Sequence, residues 1–296
     1  METVARRRRG LRLDGMRVAP YLFIAPAMVY LAVVTVTPVL LAFPISLSDW
    51  TALTPRKRFV GAENYLRLLT DREFLHSLLV TAQFLLGVPI VMAAGLVVAL
   101  LLNHKMRGMT AFRVVYYSPV ITSTIAAAVL FDWFFQPSFG LFNGILEAVG
   151  LPGIGWVSDA RTAAMSVILF RVWKGTGGTM LIYLAGLQDV PAQLIEAAQI
   201  DGAGAWKRFR HVTLPLLKPA TAYLLVTGII GTFMIFQETY MLKGPLKSTD
   251  TVVNYIYQTG FLGSEMGYAS AMSFALFAVI FLITLAQYRF LKVDVR

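Results

Sequence analysis

Long apolar runs alternate with shorter polar segments along most of the chain. Six of these runs are long enough to cross a hydrocarbon layer about 30 Å thick, which takes roughly 20 apolar residues of helix. The fourth run is less apolar than the others because it contains Arg171, Lys174 and a group of glycines. The pattern predicts an all-α polytopic membrane protein with six transmembrane helices. The runs cover residues 20–47, 76–102, 114–135, 162–187, 219–240 and 266–288.

Positive charge is distributed unevenly between the segments that separate the runs. With the N-terminus placed in the cytoplasm, the cytoplasmic segments hold sixteen lysines and arginines and the outer segments hold eight. Lysine and arginine accumulate on the cytoplasmic side of membrane proteins, so both termini are predicted to be cytoplasmic. The predicted organisation is a basic N-terminus (1–17), a first transmembrane helix (18–47), an outer segment with a short interfacial helix (48–75), a core (76–290) that contains a cytoplasmic segment (189–218), and a cytoplasmic tail (291–296).

Composition supports a membrane protein and excludes several kinds of site. Of the 296 residues, 57% are hydrophobic and 14% are charged, whereas soluble domains carry about a quarter charged residues. The net charge of +10 is therefore attributed to the cytoplasmic side of a membrane, and no nucleic-acid partner is predicted. The chain has no cysteine, which excludes disulfides and thiol catalysis. Its three histidines lie far apart, and no metal site is predicted.

The start of the chain has a feature of secretory signal peptides, since a basic stretch precedes an apolar run. The apolar run, however, extends over about 28 residues, whereas the apolar region of a signal peptide has about 7–15. No cleavage site with small residues follows it. We therefore predict a membrane helix that is retained.

The cytoplasmic segment 189–218 has the pattern of two short helices separated by a glycine. Asp189 is a candidate helix cap with Pro191 in the first turn, and Gly202 interrupts the helix that follows. Trp206, Phe209 and Val212 follow one another at intervals of three residues, so they share the apolar face of a second helix. Two interpretations remain open at this point. The segment is either an amphipathic linker on the lipid surface or a helix that docks on another protein.

The same segment resembles the EAA motif of ABC importer permeases. Glu196-Ala197-Ala198 is followed, after three intervening residues, by Gly202. After nine further residues comes the sequence VTLP, which begins at Val212. The family pattern has isoleucine at the position of Val212. The surrounding sequence, with WKG at 173–175, is similar to the permeases of binding-protein-dependent sugar importers, which implies a type I ABC importer transmembrane domain. The resemblance assigns ATPase coupling to Glu196, Ala197, Ala198, Asp201 and Gly202.

The resemblance also implies the partners and the mechanism. They are a second homologous permease, two ATPase subunits, an extracytoplasmic solute-binding protein and the lipid of a bacterial or archaeal cytoplasmic membrane. The ATPase subunits would bind ATP and magnesium, and their closure would drive alternating access. The chain itself is not expected to be an enzyme or to hold a cofactor. Its nearest approach to a phosphate-binding loop, GPLKST from Gly244, lacks the second glycine of that motif.

Four charged residues lie within the apolar runs, where charge is costly and usually faces a cavity or a partner. They are Asp132, Arg171, Lys174 and Glu238. Arg171 and Lys174 are three residues apart and share a helix face. They border a glycine cluster that favours a bend and exposed carbonyls. An alternative explanation of these residues is that the glycines allow close packing against a neighbouring helix and that the charged side chains form an ion pair between subunits.

Alignment with the maltose-type permease places a sugar site in the fourth and fifth runs. Trp173 and Gln237 supply an aromatic face and a planar polar group for sugar hydroxyls, and we hypothesise that Arg171, with or without Lys174, binds an acidic group such as a uronate or phosphate. FQETYMLKGP is two residues shorter than the common family form, so the alignment of the fifth run is loose. The candidate substrate-binding residues are Arg171, Trp173, Lys174, Gly175, Gly178, Thr232, Gln237 and Glu238.

Three other functions were weighed against a sugar permease. A glycerol-3-phosphate-type ABC permease shares its architecture. A proton-coupled secondary transporter could use Asp132 or Glu238, but six runs and an EAA pattern argue against it. An intramembrane enzyme would need a cluster of acid, base or nucleophile at membrane depth, and the sequence has neither a cysteine nor a pair of histidines at close spacing.

Overall fold

The computed structural model of the chain describes residues 12–51, 58–104 and 108–291 and consists almost entirely of helices. A two-residue antiparallel pair of strands joins Ser48–Asp49 (β1) to Arg58–Phe59 (β2). The helices are α1 Arg12–Tyr30, α2 Thr37–Ser46, α3 Glu63–Thr70, α4 Arg72–Gln83, α5 Gly87–Leu102, α6 Met109–Ile121, α7 Thr124–Phe134, α8 Leu141–Ala148, α9 Ala163–Gln188, α10 Ala192–Ile200, α11 Ala205–Arg208, α12 Leu214–Leu216, α13 Lys218–Phe233, α14 Gln237–Met241, α15 Val252–Tyr257 and α16 Met266–Leu291.

Within the described residues, four helical stretches are long and apolar enough to cross a membrane, and a bent helix pair makes a possible fifth. The remaining predicted run corresponds to α9, whose 26 residues extend over about 39 Å. The charges in the middle of α9 reduce its apolar character. The four stretches are Pro20–Ser46, Arg72–Leu102, Lys218–Met241 and Met266–Phe290, and the bent pair is Met109–Ile121 with Thr124–Phe134.

The first apolar stretch contains a π-helical turn at Leu31–Val36 between α1 and α2. Pro38 follows this turn and has no N–H group, so the regular hydrogen-bond ladder cannot continue through it. The backbone N–H and the Oγ1 of Thr37 both donate to the carbonyl of Ala32, the side-chain bond at 2.8 Å. The end of this stretch packs on α16, where the rings of Phe43 and Phe274 meet edge to face at 5.5 Å.

The third predicted run is not one straight helix. It is divided into α6 and α7, which meet at an angle of 95°. Thr122 and Ser123 between them have extended backbone conformations, and the Ser123 side chain accepts a hydrogen bond from Ala126 at the start of α7. Pro119 removes one N–H donor from the last turn of α6, which favours a break in the helix there. The prediction of a continuous helix over 114–135 was therefore wrong.

A hydrogen-bond network at Asp71 links the start of α4 to α15 and α16. Asp71 Oδ1 accepts the N–H groups of Glu73 and Phe74 and caps α4, while Oδ2 accepts the hydroxyls of Tyr255 at 2.9 Å and Tyr268 at 2.6 Å. Burial alone would raise the pKa of Asp71, but these hydrogen bonds, that of Tyr268 first, outweigh it and lower the pKa. Burial and the bond to Asp71 raise the pKa of Tyr255 to about 12.

Two ion pairs join the predicted outer segment to later parts of the chain. Arg67 Nη1 lies 2.7 Å from Glu265, and Lys247 Nζ lies 2.6 Å from Glu73. All four side chains are about half exposed, so these pairs add little stability. The stronger contribution of Arg67 is its position 3.9 Å over the ring of Tyr268.

Helix α9 is the centre of the bundle and packs closely on α5. A Cβ atom at Gly95 of α5 would lie 2.5 Å from the side chain of Thr179 on α9. A Cβ at Gly175 of α9 would lie 3.2 Å from Val91. Small residues allow helices in a membrane protein to approach closely and gain packing contacts. This close contact fixes the depth at which Arg171 and Lys174 lie in the bundle.

Candidate functional site

The EAA segment, residues 189–218, has the predicted arrangement of two helices separated at Gly202. Helix α10 ends at Ile200 with Asp201 as its C-cap, and Gly202 follows with φ of +76°, in the left-handed region. The N–H of Ala203 donates to the carbonyl of Ala198 at 2.9 Å and that of Gly202 donates to Gln199 at 3.1 Å. This pair of bonds is a Schellman motif, in which glycine is favoured because it has no Cβ.

The start of α10 differs from the predicted one. Asp189 ends α9, and its backbone N–H donates to the carbonyl of Ala185. Pro191 occupies the N-cap position of α10 without a side-chain hydrogen bond. The prediction that Asp189 caps the EAA helix was wrong, because Asp189 is the C-cap of α9 and Pro191 is the N-cap of α10. The predicted apolar contact in the second helix is present, with the rings of Trp206 and Phe209 5.6 Å apart.

The surface of α10 is available to another molecule. None of its nine residues is buried in the chain. Five large apolar side chains of the segment are exposed: Ile200 by 87%, Trp206 by 68%, Leu194 by 46%, Leu216 by 42% and Leu214 by 40%. The residues of the segment assigned to coupling lie in this surface, with Glu196, Ala197, Asp201 and Gly202 exposed and Ala198 partly buried.

A buried leucine that the motif analysis missed connects the EAA segment to the helix bundle. Leu217 has no exposed surface and belongs to a cluster with Met180, Leu184 and neighbouring residues of α5 and α13. It packs over Gly186 of α9, where a Cβ atom would lie only 2.9 Å from the Leu217 side chain. The one signal in the sequence is a glycine within an apolar helix, which does not identify its partner.

A cavity of about 380 Å³ lies between α5, α9, α13 and α14, with Val120 of α6 at its edge. Three charged side chains line it, namely Arg171, Lys174 and Glu238, among mostly apolar residues and glycines. The structure therefore brings together three of the four intramembrane charges that the sequence singled out. Gly175 also lines the cavity.

Arg171 and Glu238 carry opposite charges on facing helices of this cavity. The guanidinium of Arg171 donates to Thr232 Oγ1 at 3.2 Å, and Thr232 in turn donates to the carbonyl of Gly228 at 2.8 Å. Thr232 is fully buried, so it acts here by holding the guanidinium.

The ammonium group of Lys174 contacts protein carbonyls. Its Nζ donates to the backbone carbonyl of Pro119 at 3.1 Å and to that of Thr122 at 2.9 Å. Both carbonyls belong to the break between α6 and α7. Lys174 therefore borders the cavity while its charge is directed to the end of α6.

Four candidate substrate residues do not line this cavity: Trp173, Gly178, Gln237 and Thr232, which lies behind Arg171. Trp173 is 40% exposed and its ring packs 4.9 Å from that of Phe131 on α7. Gln237 is exposed at the start of α14, and a Cβ atom at Gly178 would lie 4.0 Å from the side chain of Val120. The helical period explains the difference for Trp173, because it lies about 200° around α9 from both Arg171 and Gly175.

Sequence and structure comparisons agree on the family. The family described as binding-protein-dependent transport system inner membrane component matches residues 74–292. The chain is 36% identical to the arabinooligosaccharides transport system permease protein AraP of Bacillus subtilis (strain 168), covering 91% of this chain and 87% of that protein. It is also 36% identical to the trehalose/maltose transport system permease protein MalF of Thermococcus litoralis, and the match covers 90% of each chain. The chain is 34% identical to the lactose transport system permease protein LacF of Rhizobium radiobacter, and that match covers 90% of this chain and 92% of that protein.

Among solved structures, the chain is similar to one from a bacterial ABC transporter involved in the import of the acidic polysaccharide alginate. The TM-score is 0.84 at 22% identity, and the match covers 96% of this chain and 98% of that one. This similarity establishes the type I ABC importer permease fold, with several apolar helices that make the chain a multi-pass membrane protein. The family match extends over most of the chain and includes the EAA segment. The chain belongs to the binding-protein-dependent transport system inner membrane components, the permease subunits of ABC importers.

Proposed function

We propose that this permease subunit serves the import of a carbohydrate. The observation that carries the proposal is that three similar permeases, each 34% or 36% identical over at least 87% of its length, are named for arabinooligosaccharides, trehalose/maltose and lactose. These substrates share hydroxyl-rich rings and differ in size and linkage. The common feature is therefore the carbohydrate class, and the particular sugar is a separate question.

The cavity has the chemistry that a sugar requires. Arg171 offers N–H donors and Glu238 offers oxygen acceptors, so the two together match hydroxyl groups that both donate and accept. The apolar residues around them suit the C–H faces of a sugar ring. The cavity volume of about 380 Å³ lies in the range of small-ligand sites. A second permease subunit would complete the translocation pathway and enlarge the site.

The EAA segment supports coupling to a separate ATPase. Its exposed α10 surface and the Leu217–Gly186 contact would transmit movement of an ATPase subunit to α9. In the proposed assembly, two permeases, two ATPase subunits that bind ATP and magnesium, and an external solute-binding protein act together in a bacterial or archaeal cell membrane. The chain itself carries out no hydrolysis.

An acidic group on the sugar is a finer proposal that Arg171 supports. Two cationic side chains line the cavity. Arg171 donates one hydrogen bond to the hydroxyl of Thr232, whereas Lys174 donates two hydrogen bonds to backbone carbonyls. An Arg171→Gln variant should lose transport of a uronate-containing oligosaccharide, while Lys243→Gln, at an exposed lysine, should not. Equal transport of the acidic sugar by Arg171→Gln and the unaltered protein would rule out this role.

Uptake by the reconstituted importer tests the proposed function. Proteoliposomes that contain the permease pair, the ATPase subunits and the binding protein would be offered radiolabelled trehalose, maltose, lactose, arabino-oligosaccharides and glycerol 3-phosphate. ATP-dependent uptake of one of the sugars is expected. Uptake of glycerol 3-phosphate alone would assign the alternative substrate. Uptake that survives removal of ATP and stops when the proton gradient collapses would indicate a secondary transporter.

The six-span topology is open to a direct test because the chain has no native cysteine. Single cysteines at Lys243 in a predicted outer loop and Arg210 in the EAA segment would be treated with a membrane-impermeant maleimide on intact cells. Six spans that start in the cytoplasm, with α9 as one of them, predict labelling at 243 and not at 210. The reverse pattern would overturn the orientation.

Substitution of Glu196 tests the coupling role. Glu196→Lys should abolish binding-protein-stimulated ATP hydrolysis while the subunit still inserts and assembles. Gln193→Lys introduces the same charge in the same exposed helix and should retain most activity. If Glu196→Lys hydrolyses ATP at the normal stimulated rate, the coupling assignment is incorrect.

A further inference from the structure

The bend between α6 and α7 leaves backbone groups without partners in their own helices. The last carbonyls of any α-helix have no N–H partner within it, and at membrane depth such groups are costly unless the protein satisfies them. At this bend the Thr122 hydroxyl donates to the carbonyl of Pro119 at 2.6 Å. Thr122 is the C-cap of α6 and has an extended backbone conformation, so its carbonyl lies outside the helical hydrogen-bond ladder and needs another donor.

Lys174 supplies that donor from α9. Its Nζ bridges the carbonyls of Pro119 and Thr122, at 3.1 Å and 2.9 Å. These two groups lie at the C-terminal end of α6, where the helix dipole is negative, so a cation there is favourable. One ammonium group thereby satisfies the broken backbone and compensates the helix dipole.

A close backbone contact lies one turn further along the same face of α9. A Cβ atom at Gly177 would collide with the carbonyl oxygen of Tyr116 in α6. Gly177 is three residues after Lys174, so the two are neighbours on the helix surface. The last turns of α6 are therefore held on α9 by a close contact at Gly177 and by two hydrogen bonds at Lys174.

We propose that Lys174 is a positioning residue that holds the bend between α6 and α7 against α9. Val120, in the last turn of α6, lines the cavity, so the position of α6 affects the shape of the cavity. Lys174 then acts on the substrate through the helix that it holds. This role does not depend on which substrate is carried.

Spin-label distances in the assembled importer would measure the bend directly. The chain has no native cysteine, so cysteines introduced at Ala111 on α6 and Trp133 on α7, both exposed, would carry the only labels on this subunit. Trp133 is nine residues from the start of α7. A change of about 20° in the bend would therefore move it by about 5 Å. Distances would be recorded in nanodiscs without nucleotide or substrate.

Four variants distinguish positioning from other roles. Lys174→Met, which keeps the length of the apolar side chain and has no donor, should shift or broaden the distance distribution. Lys174→Arg, which keeps charge and donors, should restore the unaltered distribution. Lys243→Met, at an exposed lysine in the loop after α14, should leave it unchanged. If Lys174→Met does not assemble, Lys174→Gln replaces it, and its shorter side chain should give an intermediate shift.

The same measurements would overturn the proposal in two ways. One is a distribution in Lys174→Met, or in Lys174→Gln where that variant replaces it, that coincides with the unaltered protein. The other is a shift that Lys174→Arg does not reverse, since the loss of donors would then not be its cause. No substrate is present, so failure here leaves the proposed carbohydrate transport untouched. Failure of sugar uptake likewise leaves the distances unaffected.

Discussion

The turn at Gly202 gives the sharpest test of how α10 is presented to a partner. Gly202 has φ of +76°, and a Cβ atom added there would meet no heavy atom within 4 Å. Substitution by alanine therefore introduces backbone strain without a steric clash. Within this chain, Gly202→Ala therefore acts only through the conformation of the turn.

The magnitude follows from the left-handed conformation. An L-residue in this region costs about 1–2 kcal/mol relative to glycine, which corresponds to roughly a 5- to 30-fold shift of a conformational equilibrium. Asparagine tolerates this region better than alanine, and valine tolerates it worst because it is β-branched. The expected order of coupled activity is glycine, asparagine, alanine, valine, with the alanine variant reduced about tenfold if α10 binds only in this conformation.

Binding-protein-stimulated ATP hydrolysis in proteoliposomes is the appropriate assay. Gly204 provides a matched control two residues away, because it is also exposed and its Cβ would also meet nothing within 4 Å. Its φ of −65° is accessible to alanine, so Gly204→Ala should retain normal stimulation. If Gly202→Ala and Gly202→Val both hydrolyse ATP like the unaltered importer, the turn has no part in coupling. Equal losses in Gly204→Ala and Gly202→Ala would show that backbone strain is not the cause.

Three further predictions concern packing and pH. Leu217→Ala should leave a cavity over Gly186 and destabilise the subunit by about 2–5 kcal/mol, seen as a lower melting temperature of the purified complex; an unchanged melting temperature would contradict the packing. Gly177→Val should prevent α6 from seating on α9 and so reduce the yield of assembled importer, and a normal yield would contradict that contact. The hydrogen bonds lower the pKa of Asp71 in the fold, so they stabilise the folded state at pH values above 3.8, the ordinary pKa of the group. This contribution is lost as the pH falls through the lowered pKa. Asp71→Asn should therefore flatten the acid end of the stability curve, and an acid limb as steep as before would place the titrating group elsewhere.

Local patterns in the sequence were sufficient to locate the apolar helices and the EAA segment, but not the division of the third run into α6 and α7. The apolar runs depend only on residue type and length, and the structure has helices at each of them, including α9. The break at Gly202 was also predictable, because a glycine after a short helical pattern indicates a left-handed cap. The start of α10 was not, since Asp189 was predicted as its cap but is the C-cap of α9, and Pro191 occupies the N-cap position of α10.

The partners of the charged residues depended on tertiary structure. The sequence placed Arg171 and Lys174 on one helix face and offered both as substrate contacts. In the fold, Lys174 reaches carbonyls that are 52 and 55 residues away in the chain, and Arg171 reaches Thr232, 61 residues away. Helical periodicity fixes which way a side chain faces along its own helix but carries no information about which distant helix end lies opposite.

Composition, hydropathy and one motif thus determined that this chain is a polytopic permease with an EAA segment, because each of those features is encoded within a few consecutive turns. Only the packing of the helices decided three features. They are the 95° bend between α6 and α7, the packing of Leu217 on Gly186, and the hydrogen bonds of the Lys174 ammonium to the end of α6. Each of these depends on the fit of two surfaces that are far apart in sequence, and a membrane interior enforces that fit because unpaired polar groups are costly there.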